Sequence, residues 1–115
     1  MIGKKPPIKA IAEAQRWAGE QGLMVFALEP EGIFPFHFIV SDKGRVSLVF
    51  VRHPKYLDFN INAIDYSCRT AIAQLRALPV SNEIHREIWV RRTASMWYRY
   101  RVLTGSIESI DNAVH

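Results

Sequence analysis

Histidine and arginine side chains at the ends of two apolar segments are the first candidates for chemistry in this chain. His37 lies in an apolar segment at residues 34–40, and Arg52 ends a second one at residues 46–52. An imidazole offers nitrogen to a transition metal, whereas a guanidinium stays protonated and cannot act as a base. Another histidine, His53, has the opposite parity along its strand and points to the other face. The two histidines therefore predict no shared metal site.

A β-hairpin must position these side chains. Residues 42–44, Asp-Lys-Gly, form a turn signal between the two apolar segments, and a two-residue loop there pairs Asp42 with Arg45. Counting outward from that pair, and with side chains alternating along each strand, three positions share one face of the sheet: His37, Phe50 and Arg52. A one-residue change of register would move His37 to the opposite face.

Arginines in the C-terminal half form a second candidate group. On a strand at residues 96–103, Arg99 and Arg101 fall on one face, with Tyr98 and Tyr100 on the other. The planar fork of arginine suits phosphate and carboxylate oxygens, so such a strand can bind a phosphate backbone while its aromatic face builds the core. The same pattern also fits a solvated edge strand guarded by charge. The residues predicted to bind nucleic acid are Lys43, Arg45, Arg52, Arg91, Arg99 and Arg101.

The remaining pattern predicts an α+β domain. Apolar residues at helical spacing indicate a helix from Ile8 to about residue 21, and the wholly apolar residues 23–28 predict a central strand buried on both faces. A second helix is predicted from near Asn62 to about Leu78, with Cys68 on its buried stripe. Two strands follow, at residues 87–92 and 96–103. The predicted order is helix, three-strand meander, helix and two strands, with helices flanking a mixed central sheet.

Length and composition indicate one domain. The chain has 115 residues, of which 49% are hydrophobic and 23% charged, which is ordinary for a globular domain. The predicted core spans residues 8–104, between a flexible basic tail at 1–7 and a polar tail or last helical turn at 105–115. The lone cysteine, the lack of a secretory signal and the lack of a long apolar run predict a cytoplasmic protein. A net charge of +4 permits an anionic partner without requiring one.

The hairpin resembles the core of the PD-(D/E)XK nuclease superfamily, most closely the archaeal Holliday-junction resolvase type. In that family an Asp opens an apolar strand, a glycine-containing turn follows, and the next strand ends in Glu-x-Lys. With the turn glycine at Gly44, these three functional positions fall on His37, Phe50 and Arg52. The spacing matches, and the element order over about residues 8–104 is the one that the resemblance implies. The resemblance therefore predicts a restriction-endonuclease-like fold with a degenerate catalytic motif.

The chemistry of that family cannot run on the three residues present. Its carboxylates hold a divalent metal, and magnesium prefers hard oxygen ligands in near-octahedral geometry. His37 offers nitrogen, Phe50 offers no ligand, and Arg52 brings a positive charge that repels the ion. We therefore predict no metal and no cofactor. An active nuclease would need relocated acids and magnesium, and the candidate acids are Glu13, Glu29 and Glu31.

Three functions are open from the sequence. The favoured one is a nuclease-like domain that binds nucleic acid, DNA in particular, without cleaving it, as a homodimer or an accessory subunit. The resolvase relatives pair up, and an apolar patch for pairing could come from Phe34, Phe36, Phe38 and Tyr56. The alternatives are a divergent metal-dependent nuclease and a protein-interaction or structural module whose arginines only favour solubility. No membrane and no small-molecule cofactor is expected as a partner.

Overall fold

A computed structural model describes residues 6–29, 33–54, 60–81 and 83–110 of the chain. Within these ranges the chain forms three helices and six strands. In chain order they are α1 (Ile8–Glu20), β1 (Met24–Ala27), β2 (Phe38–Asp42), β3 (Arg45–Arg52), α2 (Ile61–Ser67), α3 (Arg69–Arg76), β4 (His85–Thr93), β5 (Met96–Val102) and β6 (Ile107–Ser109).

The strands form one mixed sheet in the order β1-β2-β3-β4-β5-β6. β3 and β4 run parallel, and every other neighbouring pair is antiparallel. A parallel pair needs a crossover connection, and α2 with α3 provides it between β3 and β4. The predicted α+β class is confirmed.

Helices cover the two faces of the sheet, and alternation along the strands divides the core between them. On one side α1 packs against Phe38, Val40, Val49, Val51, Trp89 and Trp97. On the other side α2 and α3 pack against Ile88, Val90, Tyr100, Val102 and Ile107. We call these the α1 face and the α3 face. Each strand between the helices therefore contributes to both halves of the core.

The β2–β3 hairpin has the predicted register. Asp42 pairs with Arg45 and Phe38 pairs with Val49. The loop residues Lys43 and Gly44 have φ values of 52° and 83°, and two positive φ values are what a type I′ turn requires to match the twist of the strands. We call the sheet end with this loop the turn end. Because β4 is parallel to β3 and β5 is antiparallel to β4, β4 begins and β5 ends at the turn end.

Strand β1 is an edge strand, and the prediction of a central strand buried on both faces is wrong. β1 pairs only with β2, and the side chains of Met24 and Phe26 are 62% and 48% exposed. Its apolar residues therefore meet core on one side only, through Val25 on the α1 face. Ile8, predicted on the buried stripe of α1, is also 58% exposed. Apolar character alone could not distinguish an edge strand from a central one.

The predicted second helix is two helices, broken at Cys68. Asn60 caps α2, and its side chain accepts a hydrogen bond of 2.9 Å from the backbone N–H of Asn62. Cys68 leaves the helical region with φ −105° and ψ 14°, which separates α2 from α3. Its side chain is 3% exposed, so the prediction that Cys68 is a buried residue is confirmed.

Strand β6 lies within the predicted polar C-terminal tail, so the predicted core boundary at residue 104 is wrong. Ile107 pairs with Val102 and is 7% exposed. The guanidinium of Arg76 donates to the carbonyl oxygens of Leu103, at 2.8 Å, and Ser106, at 3.1 Å. These bonds fix the turn that leads into β6. A strand of three residues with one core side chain gave too short a pattern to detect.

Candidate nucleic-acid interface

The hairpin brings His37 and Phe50 together at the end of the sheet opposite the turn end. Their rings stack with centroids 4.8 Å apart and planes inclined at 26°. The backbone N–H of His37 donates to the carbonyl of Val49 at 2.7 Å, and the N–H of Val51 donates to Nδ1 of His37 at 2.8 Å. Phe50 is half-buried and packs against the core of the α3 face. The predicted juxtaposition of His37 and Phe50 is confirmed.

These residues do not fit the metal site of the nuclease resemblance. Because Nδ1 of His37 accepts a backbone hydrogen bond, the neutral ring carries its proton on Nε2 and has no free lone pair for a metal. Burial lowers the pKa of His37 from 6.5 to about 4, which keeps the ring neutral. Phe50 supplies no donor atom, and Arg52 supplies only positive charge. No group of three or more His, Cys, Asp or Glu residues in the described ranges is placed to hold a metal ion.

The three acids predicted as metal ligands of an active nuclease, Glu13, Glu29 and Glu31, do not form a site in the described residues. Glu13, on α1, forms an ion pair with Arg91: Nε of Arg91 donates to Oε1 and Nη2 donates to Oε2 at 3.3 Å. The hydrogen bond from Arg91 lowers the pKa of Glu13. Glu29 follows β1 and is exposed, and Glu31 lies outside the described residues. Glu13 thus stabilises the contact of α1 with β4, and its carboxylate is occupied.

The six basic residues predicted from the sequence lie in two places. Arg52 and Arg91 are at the far end from the hairpin loop, Arg52 on the α3 face and Arg91 on the α1 face. At the turn end, Lys43 and Arg45 are exposed. Arg99 and Arg101 approach this region along β5 on the α1 face. Of the six, the structure brings Arg45 and Arg99 to one cleft, with Lys43 in the adjoining loop and Arg101 two residues nearer the turn end than Arg99.

Arg99 is held by aromatic side chains. Its guanidinium carbon lies 5.4 Å from the ring centroid of Trp17 and 5.5 Å from that of Trp89. Trp17 meets Trp89 edge to face, at 5.5 Å between centroids. The sequence placed Tyr98 and Tyr100 of β5 on the opposite face, and both pack there. Trp97 of β5 and Trp89 of β4 are on the arginine face. Cation–π contacts therefore orient Arg99 beside a shallow cleft.

That cleft has a volume of about 170 Å³ and opens on the α1 face at the turn end. Arg45 and Arg99 line it, together with Asp42 and Glu87. Glu87 is 5% exposed and accepts a hydrogen bond of 2.8 Å from the indole N–H of Trp89. The cleft thus mixes two guanidinium groups with one buried and one exposed carboxylate, and no residue of α1 in the described part of the chain lines it.

The sequence missed three basic residues at the same end. His85, predicted to lie in a loop, begins β4, and Arg76 and Arg86 lie beside it. Arg86 donates to four backbone carbonyls, including that of Leu75 at 2.8 Å and that of Leu78 at 3.2 Å, and so caps the end of α3. These residues come from a helix end and a strand start. His85 and Arg86 lie near Arg101 because β4 pairs antiparallel with β5, with Glu87 opposite Arg101, and Arg76 joins them from the end of α3.

The apolar patch predicted for pairing is mostly core. Phe38 is fully buried, and Phe36 packs against the core of the α3 face. Phe34 is 56% exposed and stacks on Phe36 at 5.3 Å between centroids. Tyr56 lies outside the described residues. Exposed apolar side chains also occur beside Phe34, at Ile33, and on edge strand β1, at Met24 and Phe26.

The chain matches no protein-family model, and no curated protein is similar to it in sequence. The likeness to PD-(D/E)XK nucleases accordingly remains a hypothesis based on the hairpin spacing and the element order. None of the helices in the described residues is long and apolar enough to cross a membrane.

Proposed function

We propose that this domain binds nucleic acid, DNA in particular, through basic residues at the turn end and does not cleave it. One observation carries the proposal: Arg45 of β3 and Arg99 of β5 line one cleft on the α1 face, with Lys43 in the adjoining loop and Arg101 two residues from Arg99 along β5. β3 and β5 are two strands apart, about 10 Å across the sheet, and Arg101 lies level with Val49 through Glu87, four residues along β3 from Arg45. The basic side chains are therefore spread along the α1 face, which suits an extended phosphate backbone.

The charges at this end favour a phosphate backbone over a neutral partner. Arg45 is exposed and projects beside the cleft that Arg99 lines. Glu108 offsets part of the charge of Arg101, with its Oε2 3.4 Å from Nη1, and Glu87 is buried beneath. Around the opening, two exposed and two half-buried basic residues therefore face two exposed acids, Asp42 and Glu108. Arg91 and Arg52 are left out of the proposed interface because one is ion-paired and both lie at the far end.

The absence of cleavage follows from the side chains at the former catalytic positions. His37 is held neutral by burial and by a backbone hydrogen bond, and Phe50 is half-buried against the core of the α3 face. The nuclease resemblance supports DNA as the nucleic acid, and the single, buried Cys68 supports a cytoplasmic location. The scaffold would then be that of a nuclease whose metal ligands have been replaced.

A gel-shift or anisotropy panel tests the proposal with duplex, single-stranded and junction DNA, at several salt concentrations, with and without magnesium. The test variant carries both Arg45→Ala and Arg101→Ala. The control variant carries both Arg16→Ala and Arg69→Ala, which remove the same charge from two exposed helix positions. Each lost phosphate contact should lower the log–log salt slope by about 0.9 on duplex DNA. Equal losses in the two double variants, or no salt-sensitive binding by the unmodified protein, would contradict the proposed interface.

Edge strand β1 favours a second function, self-association. Its residues 24–27 carry no charge and no proline, the usual protections of a sheet edge, and Met24 and Phe26 are exposed on the same side. A second copy can pair its own β1 antiparallel to this one, which extends the sheet without opposing like charges. Sedimentation of Phe26→Lys tests this, with Met96→Lys as a control at an apolar residue 49% exposed. A monomeric unmodified protein would exclude the association.

A further inference from the structure

A second cleft, of about 300 Å³, lies where β4 begins and β5 ends. We call it the end cleft. Its basic lining residues come from three elements: Arg76 from α3, His85 and Arg86 from β4, and Arg101 from β5. Thr104 adds a hydroxyl, and no acidic residue lines the cleft in the described part of the chain. The composition suits an anion.

Two buried nitrogen atoms of the end cleft have no hydrogen-bond partner among the described residues. They are Nδ1 of His85 and Nε of Arg101. The Nη1 atom of Arg101 approaches Glu108 at 3.4 Å, so the guanidinium is partly engaged while its Nε–H is not. Buried polar atoms are almost always satisfied in folded proteins. Two of them in one cleft indicate a bound group that supplies acceptor oxygens.

The other two cations of the end cleft form a fixed positive frame. Arg86 is anchored by the carbonyls at the end of α3, and Arg76 by the carbonyls of Leu103 and Ser106. A carbonyl is neutral, so these bonds hold each guanidinium in place without cancelling its charge. An anion entering the cleft meets an electrostatic field that needs no rearrangement to form.

We propose that the end cleft binds a phosphate group, with Nε of Arg101 and the protonated Nδ1 of His85 donating to its oxygens. A tetrahedral oxyanion directs its oxygens out of one plane, so separate oxygens can accept from Arg101, His85 and the hydroxyl of Thr104, whereas a carboxylate has two oxygens in one plane. The phosphate is either free inorganic phosphate or the terminal phosphate of a polynucleotide. Only the second source rests on the nucleic-acid binding proposed above.

The charges around His85 make this binding dependent on pH. Burial lowers the pKa of His85, and the guanidinium groups of Arg101 on β5 and Arg45 on β3 lower it further, while Glu87 on β4 opposes them. Arg76 and Arg86 add positive charge from the α3 side. A doubly charged anion beside the ring reverses this balance and raises the pKa. Linkage then requires that anion binding strengthen as the pH falls through the pKa of His85.

NMR titration of the His85 imidazole with inorganic phosphate and with inorganic sulfate tests the proposal in the full chain. Sulfate keeps its double charge across the range in which phosphate gains a proton, so its pH dependence reports on His85 alone. We expect a saturable shift of the His85 resonances and a raised pKa. His85→Gln should abolish the pH dependence and weaken binding by about tenfold, the effect of one charge-assisted hydrogen bond.

Arg16→Ala serves as the matched control, because it removes one charge from an exposed position on α1. It should leave the titration unchanged. A shift that sodium chloride reproduces at equal ionic strength, or the absence of any saturable shift, would overturn the proposal. Arg101→Lys provides a second variant should His85→Gln fail to fold, since it keeps the charge and loses the Nε–H. An unweakened affinity in Arg101→Lys would also count against the site.

Oligonucleotides with a 5′-phosphate and with a 5′-hydroxyl separate the two sources. A preference for the phosphorylated strand that is lost in His85→Gln assigns the cleft to a strand terminus, and equal affinities assign it to free phosphate. The outcomes also separate the two proposals. If the protein binds duplex DNA and phosphate has no effect on His85, the proposed function stands and the phosphate site in the end cleft is excluded. If phosphate affects His85 and the protein does not bind DNA, the phosphate site stands and the proposed function is excluded.

Discussion

The imidazole of His37 lies against the ring of Phe50, with centroids 4.8 Å apart, while its Nδ1 accepts a hydrogen bond from the N–H of Val51. The pair occupies the positions at which the nuclease resemblance places two metal-binding carboxylates. Here one ring joins the two strands of the hairpin through a backbone bond, and the other enters the core of the α3 face. Both side chains stabilise the sheet, so introducing an acid at either position should disturb the structure before it creates a metal site.

Phe50→Glu should destabilise the protein without creating a magnesium site. The substitution removes the stack on His37 and the packing on the α3-face core, and it places a carboxylate where burial disfavours charge. We expect the free energy of unfolding to fall by on the order of 2–4 kcal/mol. Urea denaturation with and without magnesium measures it.

Phe50→Leu is the control for this experiment, since it retains an apolar side chain and should cost about 1 kcal/mol. A Phe50→Glu variant as stable as the unmodified protein, with a melting temperature raised by magnesium, would show that residue 50 is free of the core and able to bind a metal.

His37 should make the stability of the protein depend on pH. Its folded-state pKa of about 4 is below the ordinary value of 6.5, so the unfolded chain binds more protons between these values and stability rises with pH there. We expect a loss of about 2 kcal/mol as the pH falls from 6.5 to about 4, reduced from the full shift because the ring is partly in contact with water.

His37→Asn isolates this contribution, because the asparagine oxygen can accept the bond from Val51 and does not titrate in this range. Urea denaturation at several pH values should give a flatter profile for the variant than for the unmodified protein. His85, whose pKa is also lowered, adds the same slope to both proteins and cancels in the comparison. Parallel profiles would contradict the depressed pKa of His37.

Local signals in the sequence predicted the parts of the fold that are locally determined. The loop of Lys43 and Gly44 fixes the hairpin register, and with it the contact of His37 with Phe50. Helical spacing predicted α1, although Ile8 is exposed. The order of the strands in the sheet could not be predicted from their composition. β1 has the composition of a buried strand, yet it lies at the edge of the sheet.

The candidate sites depended on contacts between distant segments. Arg91 and Arg99 have the residue type and alternation expected of a phosphate-binding strand, but α1 supplies Glu13 to one and Trp17 to the other. The end cleft forms where the antiparallel pairing of β4 with β5 brings the start of β4 to the end of β5, beside the end of α3. Sequence spacing gives the direction of a side chain along its own strand and says nothing of which helix covers it.

Cys68 should be unreactive in the folded protein. Its side chain is 3% exposed, and burial raises the pKa of the thiol against the smaller opposing effects of Ser67 and Arg52. Thiolate is the reactive form, so labelling with a thiol reagent should be slow under native conditions and complete in denaturant. The rate compared with a free cysteine peptide measures this. Rapid native labelling would mean that the break between α2 and α3 opens readily.

Glu13 and Arg91 should contribute to stability and leave DNA binding unchanged. Their ion pair joins α1 to β4 and is partly buried, with side chains 12% and 20% exposed, respectively. A double-mutant cycle with Glu13→Gln and Arg91→Met should give a coupling energy of about 1 kcal/mol. Since the hydrogen bond from Arg91 lowers the pKa of Glu13, this stabilisation is present above the ordinary pKa and is lost as the pH falls through the lowered one.

The same variants distinguish a structural arginine from a binding one. Arg91→Met removes one positive charge, as Arg45→Ala does, but Arg91 lies far from the turn end and its guanidinium is already occupied by Glu13. We expect Arg91→Met to lower the melting temperature and to leave the salt slope of DNA binding unchanged. Arg45→Ala should lower the salt slope and leave the melting temperature unchanged, because Arg45 is exposed. If Arg91→Met weakened DNA binding without a loss of stability, the interface would extend along β4 to the far end of the sheet.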